Sequence, residues 1–236
     1  MLPVNNAPIY TMTIPSTQQE VKYRPMVVRE EKALLIAQQS ESITVMLDSL
    51  KQVLKQCVLT PVNVDDLATF DFEYMFTQLR ATSIDEIVEL TFRCDVCTDE
   101  KAVGQTTVNL HNIKVTTNPT HTKKIHLFGD VGVMMKYPSV DTLKKLETSN
   151  EDDIDQQFDL IVDCIDYVYD SNEVHKASET DPQELKQFLE NLTNDQYLKI
   201  QDFFATMPTL RIDVQYKCPV CGLEHNKYME GLESFF

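Results

Sequence analysis

Two short motifs, Cys94-Asp95-Val96-Cys97 and Cys218-Pro219-Val220-Cys221, are separated by about 120 residues. A single C-x-x-C motif can be a redox pair, half of a metal site or a coincidence. Two such motifs together supply four thiolates, which is the complete ligand set of a closed tetrahedral zinc site. The sequence therefore predicts one structural Zn2+ per chain, bound by Cys94, Cys97, Cys218 and Cys221.

The residues before each motif alternate between apolar and polar side chains. This alternation runs from Val88 to Phe92 before the first motif and from Leu210 to Tyr216 before the second. A period of two is typical of a β-strand, and each first cysteine continues the apolar positions. Two such strands lying side by side would bring the motifs together. We therefore predict a split zinc ribbon, whose insertion is much longer than the roughly 15–20 residues of the compact pattern.

The long insertion leaves other interpretations open. The motifs could be two unrelated pairs, one of them a disulfide, or the metal could be a thiophilic ion other than zinc. A thioredoxin-like redox enzyme would place its C-x-x-C between a strand and a helix, whereas more β-like sequence follows Thr98-Asp99-Glu100-Lys101. His225 could replace one cysteine as a ligand, although four cysteines already complete the site.

The pattern along the chain predicts an α+β fold. Residues 1–83 are expected to form an N-terminal hairpin and helices. Residues 84–104 and 209–236 would be the two halves of the ribbon, and 105–208 an inserted β-hairpin plus helical subdomain.

Several helices have clear signals. A helical pattern begins near Val28 and continues through the apolar residues Ile43 to Cys57, and Ser40 and Ser42 mark a break or a new N-cap that would divide this segment into two helices. Another helix is predicted for Asp65–Arg80. Capping signals at Asp181 and Thr193 predict two more helices. A further helix is predicted from the spacing of Phe158, Ile161, Ile165 and Val168. Cys57 and Cys164 fall on apolar helical faces and are expected to be buried thiols.

The net charge of −16 limits the kinds of partner. Binding to nucleic acid requires a basic surface, so direct DNA or RNA binding is disfavoured and a protein partner is favoured. A zinc-ribbon regulator of a transcription or replication complex stays possible only if folding creates a basic face. No apolar run reaches membrane length, and Met1–Asn5 lacks the pattern of a signal peptide, so we expect no membrane association. The cysteines are expected to be kept reduced in the cytoplasm.

No catalytic constellation is recognisable, and we predict that the protein is not an enzyme. The G-x-S-x-G, phosphate-loop, G-x-G-x-x-G and H-E-x-x-H motifs are all missing. The acidic residues Glu151, Asp152, Asp153 and Asp155 lack the glycine and closing glutamate of an EF-hand, and fit the start of a helix better. His111 and His121 are expected at the surface. The apolar C-terminal segment Gly231–Phe236 is expected either to pack in the core or to contact a partner.

Four segments resemble one known family. They are Leu2–Tyr10, Glu30–Ala37, Cys94–Glu100 and Gly129–Pro138, and they span most of the chain. They are similar to the baseplate hub subunit family of T-even-type contractile-tailed phages, especially the members from cyanophages. The resemblance implies a structural or assembly role in the hub of a tail baseplate, through binding to other hub or wedge proteins. It also implies a location in the virion, and in the host cytoplasm during assembly, with oligomers forming only within the assembly.

Overall fold

A computed structural model describes residues 6–40, 42–147 and 154–231. The acidic residues Glu151–Asp153 lie outside these ranges, and so does the C-terminal segment Gly231–Phe236 beyond Gly231. The fold is a mixture of helices and antiparallel strands, which confirms the α+β class. The elements are β1 (Tyr10–Thr13), β2 (Glu20–Tyr23), α1 (Val28–Gln39), α2 (Ile43–Cys57), α3 (Thr69–Ser83), β3 (Ile87–Arg93), β4 (Val103–Asn109), β5 (Lys114–Thr116), β6 (Lys124–Phe128), β7 (Val131–Met135), α4 (Val140–Glu147), α5 (Ile154–Asp163), β8 (Ile165–Tyr169), β9 (Val174–Lys176), α6 (Pro182–Glu190), α7 (Asn194–Thr206), β10 (Thr209–Lys217) and β11 (Glu224–Glu230).

The chain forms two compact units. The first contains residues 1–64, 70–116 and 209–236, and the second contains residues 65–69 and 117–208. The first unit holds both C-x-x-C motifs. The second unit is formed mainly by the segment between them.

Helix α3 is the most deeply buried element of the first unit. Phe72, Met75, Phe76 and Leu79 are each at most 1% exposed. Because large apolar side chains on several of its faces are buried, α3 is a core helix and not a surface helix. The aromatic residues of the predicted Asp65–Arg80 helix are therefore core residues, and the observed helix begins four residues later, at Thr69.

Three small antiparallel sheets complete the first unit. They are the hairpin β1-β2, the hairpin β3-β4 and the three-stranded sheet β11-β10-β5. Strands β3 and β10, which lead into the two cysteine motifs, therefore belong to different sheets. The expectation that these strands lie side by side is wrong, because each instead pairs with the strand that follows its own motif.

The second unit contains a four-stranded antiparallel sheet in the order β6-β7-β8-β9. Its core consists of apolar side chains from this sheet and from helices α5, α6 and α7, including Met135, Ile165, Leu189 and Phe203. The single helix predicted through Ile165 and Val168 is wrong, since α5 ends at Asp163 and both residues lie in β8. The predicted hairpin β6-β7 is present, and β8 and β9 extend it.

The helix starts predicted from capping residues are confirmed. The Ser42 hydroxyl accepts a hydrogen bond from the Val45 amide, and the Asp181 carboxylate accepts one from the Gln183 amide. Thr193 forms the predicted capping box with Gln196. In the described part of the chain, no helix combines the length and the apolar character needed to cross a membrane.

Candidate metal centre

The first cysteine motif begins the loop 94–102, which connects the two strands of the β3-β4 hairpin. The Cys94 amide donates a hydrogen bond to the Ala102 carbonyl at 2.8 Å, and the Ala102 amide donates one to the Asp99 carbonyl at 3.0 Å. These bonds fold residues 94–102 back onto the end of the hairpin. Cys94 continues the alternating positions Val88, Leu90 and Phe92, and it is buried as this alternation predicts.

The second motif forms the equivalent turn of the β10-β11 hairpin. The Cys218 amide donates to the Leu223 carbonyl at 2.9 Å, and the Gly222 amide donates to the Cys218 carbonyl at 3.0 Å. Gly222 has a φ of +73°, a left-handed conformation that is strained for residues with a side chain. The glycine after Cys221 therefore lets the chain reverse directly beyond the last cysteine.

The two hairpins contact each other through Tyr216. Its ring stacks on Phe92 of β3 with centroids 5.2 Å apart, and its hydroxyl donates to the Arg93 carbonyl at 3.0 Å. Gly104 on β4 makes this approach possible, because a Cβ atom there would lie 2.3 Å from the Tyr216 ring. An ion pair between Lys227 and Asp95 adds a second link near the surface. These contacts place the two turns together although their strands are not paired.

The four sulfur atoms of the motifs converge. All lie within 4.8 Å of one another, with Cys94 Sγ 3.9 Å from Cys221 Sγ and Cys97 Sγ 4.0 Å from Cys218 Sγ. Tetrahedral zinc with Zn–S bonds of about 2.3 Å requires sulfurs about 3.8 Å apart. All six cysteines are free thiols. The arrangement therefore fits a four-sulfur metal site to which each motif contributes two sulfurs.

The ionisation of these thiols differs from one to the next. Hydrogen bonds from the Cys221 and Val220 amides outweigh burial and lower the pKa of Cys218 to about 7. The hydrogen bond with Cys221, together with burial, raises the pKa of Cys97 to about 12. Four adjacent thiolates would repel one another strongly unless a cation lies among them. A thiophilic cation would compensate this charge, and the softness of the ligands fits zinc.

Burial of the site decreases from one side to the other. Cys94 and Cys218 are buried, Cys97 is half-buried and Cys221 is exposed. Ala102, which is fully buried, packs with Cys94 and Cys218 in a small apolar cluster. An ion bound here would have its inner side enclosed by the protein and an outer side open for entry from solvent.

The two other cysteines lie apart from this group, as predicted. Cys57 and Cys164 are both fully buried. Burial raises the pKa of Cys57 to about 11 and that of Cys164 to about 12, so both stay protonated and unreactive at neutral pH. Within the described ranges, the four sulfurs are the only group of three or more cysteine, histidine or acidic ligand atoms this close together.

The histidines differ in their surroundings. His111 is exposed as predicted, but the prediction of a surface position for His121 is wrong. His121 is half-buried, stacks on Tyr137, packs at a tilt against Phe203, and hydrogen-bonds to Thr206 Oγ1. His225 is half-buried, with its Nε2 atom 3.2 Å from Cys94 Sγ. Its position four residues after Cys221 indicated that it lies near the site, but the contact with Cys94, 131 positions earlier, could not be read from the sequence.

Comparison with known proteins gives one family and one relative. Residues 7–236 match the model of a family described as T4 bacteriophage base plate protein. The chain is also 24% identical over 217 residues to the baseplate hub assembly protein gp26 of Enterobacteria phage T4, covering 92% of each protein. No solved structure matches the chain significantly.

Proposed function

The chain belongs to the T4 bacteriophage base plate protein family, and we propose that it acts in building the hub of a phage tail baseplate by binding other baseplate proteins. The family match confirms the resemblance found in the sequence. The observation that carries the hub assignment is the similarity to a baseplate hub assembly protein along nearly the whole length of both chains. A location in the tail baseplate, and in the host cytoplasm during assembly, follows from this role.

A structural zinc ion in the four-cysteine site is part of the proposal. Cys94, Cys97, Cys218 and Cys221 would hold it and leave no open position for water or substrate, so the metal would support structure rather than catalysis. Supporting this arrangement, Thr116 of β5 pairs with Thr209 of β10, so the segment 117–208 starts and ends at paired residues of one sheet. The ion would close the split ribbon of 84–104 and 209–236 beyond this sheet.

The partners we propose are other hub or wedge proteins. Residues 117–208 contain 18 acidic side chains against eight lysines and no arginine, which favours partner surfaces with a basic patch. The same charge disfavours nucleic acid. We further propose that the chain is not an enzyme, has no membrane partner and forms oligomers only within the assembly.

The proposal is tested by removing the protein from a phage that encodes it. With a nonsense mutation in its gene, we expect normal heads but no complete baseplates, and the wild-type protein supplied in trans should restore them. Mass spectrometry should detect the polypeptide in tail-assembly intermediates or in finished tails of the wild-type phage. Its absence from both, or normal baseplates in the mutant, would contradict a role in baseplate assembly.

A further inference from the structure

His225 lies beside the cysteine site without belonging to the group of converging sulfurs. It is the second residue of β11, and its Nε2 atom lies 3.2 Å from Cys94 Sγ, across the boundary between the two hairpins. The mutually close ligand atoms are the four sulfurs alone. His225 is therefore placed to contact Cys94, a proposed metal ligand, and not to be a fifth member of the ligand group.

The chemistry of a metal-bound thiolate decides the direction of this hydrogen bond. A metal-bound thiolate has no proton and can only accept, whereas an imidazole nitrogen can carry one. Nε2 of His225 must then be the protonated nitrogen and donate to Cys94 Sγ. A donor here would withdraw negative charge from the sulfur and hold its lone pairs in a fixed direction.

Aromatic stacking holds the imidazole in this position. His225 is the register partner of Tyr216 across β10 and β11, and the two rings stack with centroids 4.8 Å apart and planes 9° apart. The opposite hairpin contributes Phe92, which also stacks on Tyr216. The tyrosine is fixed in turn by its hydrogen bond to the Arg93 carbonyl. The rings of Phe92, Tyr216 and His225 thus form one stack that runs from β3 through β10 to β11. This stack holds the His225 Nε2 atom next to Cys94.

We propose that His225 is a positioning residue of the metal centre: its Nε2–H donates a hydrogen bond to the Cys94 thiolate and slows loss of the ion. This role rests on the proposed metal site. In this role His225 binds a metal ligand, Cys94, and does not bind the metal itself. Its hydrogen bond would link the two hairpins in addition to the link made by the metal. Partners of metal ligands typically affect metal affinity by about 10- to 100-fold.

Two substitutions separate the hydrogen bond from the stacking. His225→Phe keeps an aromatic ring on Tyr216 but has no donor. His225→Gln loses the ring but carries an amide N–H that can reach a similar position. We expect zinc transfer to excess chelator at neutral pH to be about 10-fold faster or more for His225→Phe, and within about 3-fold of wild type for His225→Gln. His175→Phe, which changes an exposed histidine of the second unit, is the control and should leave the rate unchanged.

Cobalt substitution tests whether His225 is a ligand. The visible spectrum of the Co2+-loaded protein should show four thiolates in the wild type and in both His225 variants, because no ligand is lost. A three-thiolate, one-nitrogen spectrum in the wild type, or equal zinc release from the wild type and His225→Phe, would overturn the positioning role while leaving a metal site in place. Wild-type protein that binds neither zinc nor cobalt would instead contradict the metal centre itself.

Discussion

Cys94→Ser and Cys218→Ser should each abolish tight metal binding and lower the stability of the first unit by about 4 kcal/mol or more. Structural zinc sites contribute on the order of 10 kcal/mol of binding free energy, and this energy stabilises the fold because the unfolded chain has no formed site. The two residues are the most buried of the four proposed ligands, at 4% and 1% exposure. They come from opposite hairpins, so either substitution breaks the link between them.

Thermal unfolding and zinc content measure this effect together. For a chain of this size, a loss of about 4 kcal/mol corresponds to a fall in Tm of roughly 10 °C. Cys57→Ser is the matched control, since it alters an equally buried thiol that lies outside the four-sulfur group. It should leave the zinc content unchanged if the site is formed by the four converging sulfurs. Wild-type stability and full zinc content in either Cys94→Ser or Cys218→Ser would exclude the split-ribbon site.

The second large effect is expected at Glu30, a carboxylate that is only 1% exposed. It accepts hydrogen bonds from the Val27 amide at 2.7 Å, from Arg29 at 2.9 Å and from Arg24 at 3.1 Å. The Arg24 amide donates to the Cys57 carbonyl at the end of α2. Glu30 therefore connects the start of α1, the segment after β2 and the end of α2 through one buried charge.

Because of this network, we expect the free energy of unfolding to fall as the pH becomes acidic. Burial alone would raise the pKa of Glu30, but hydrogen bonds from Arg24, Val27 and Arg29 outweigh it and lower the pKa from 4.5 to about 2. The folded state thus favours the ionised form. Its contribution, about 3 kcal/mol at 1.36 kcal/mol per pKa unit, is complete above pH 4.5 and is lost as the pH falls towards 2.

Glu30→Gln should therefore lower the free energy of unfolding at pH 7 by about 3 kcal/mol, because both arginines lose a buried counter-charge. Urea unfolding at pH 7 and near pH 3 should show the difference between variant and wild type shrinking at the lower pH. Glu31→Gln is the control, since this neighbouring residue of α1 is exposed. Equal effects of the two substitutions, or a difference that grows on acidification, would contradict the proposed role of the network.

Local signals in the sequence predicted much of the fold. Capping residues such as Ser42, Asp181 and Thr193 act on amides within three positions, so they could be recognised without knowledge of the rest of the chain. Ile165 and Val168 were misassigned because they continue the helical spacing of Phe158 and Ile161. These residues form a strand because β8 pairs with β7, about 30 residues earlier in the chain. A local sequence pattern carries no information about this pairing.

The candidate site was also predicted only in part, because local motifs identify residues but not contacts between distant segments. The residue type and spacing of Cys94, Cys97, Cys218 and Cys221 identified the candidate ligands, and the structure brings all four together. How the motifs meet was not predictable. Their approach depends on Tyr216 packing over Gly104, a contact between strands of different sheets that leaves no pattern along the chain. The position of His225 beside Cys94 is a consequence of that same packing.

The most direct test of the metal centre is the zinc content of the folded wild-type protein, purified without added metal or chelator and measured by native mass spectrometry. We expect one Zn2+ per chain, with the thiols of Cys94, Cys97, Cys218 and Cys221 protected from alkylation until a chelator removes the ion. A folded, metal-free chain whose Tm is unchanged by chelator would contradict the four-cysteine centre.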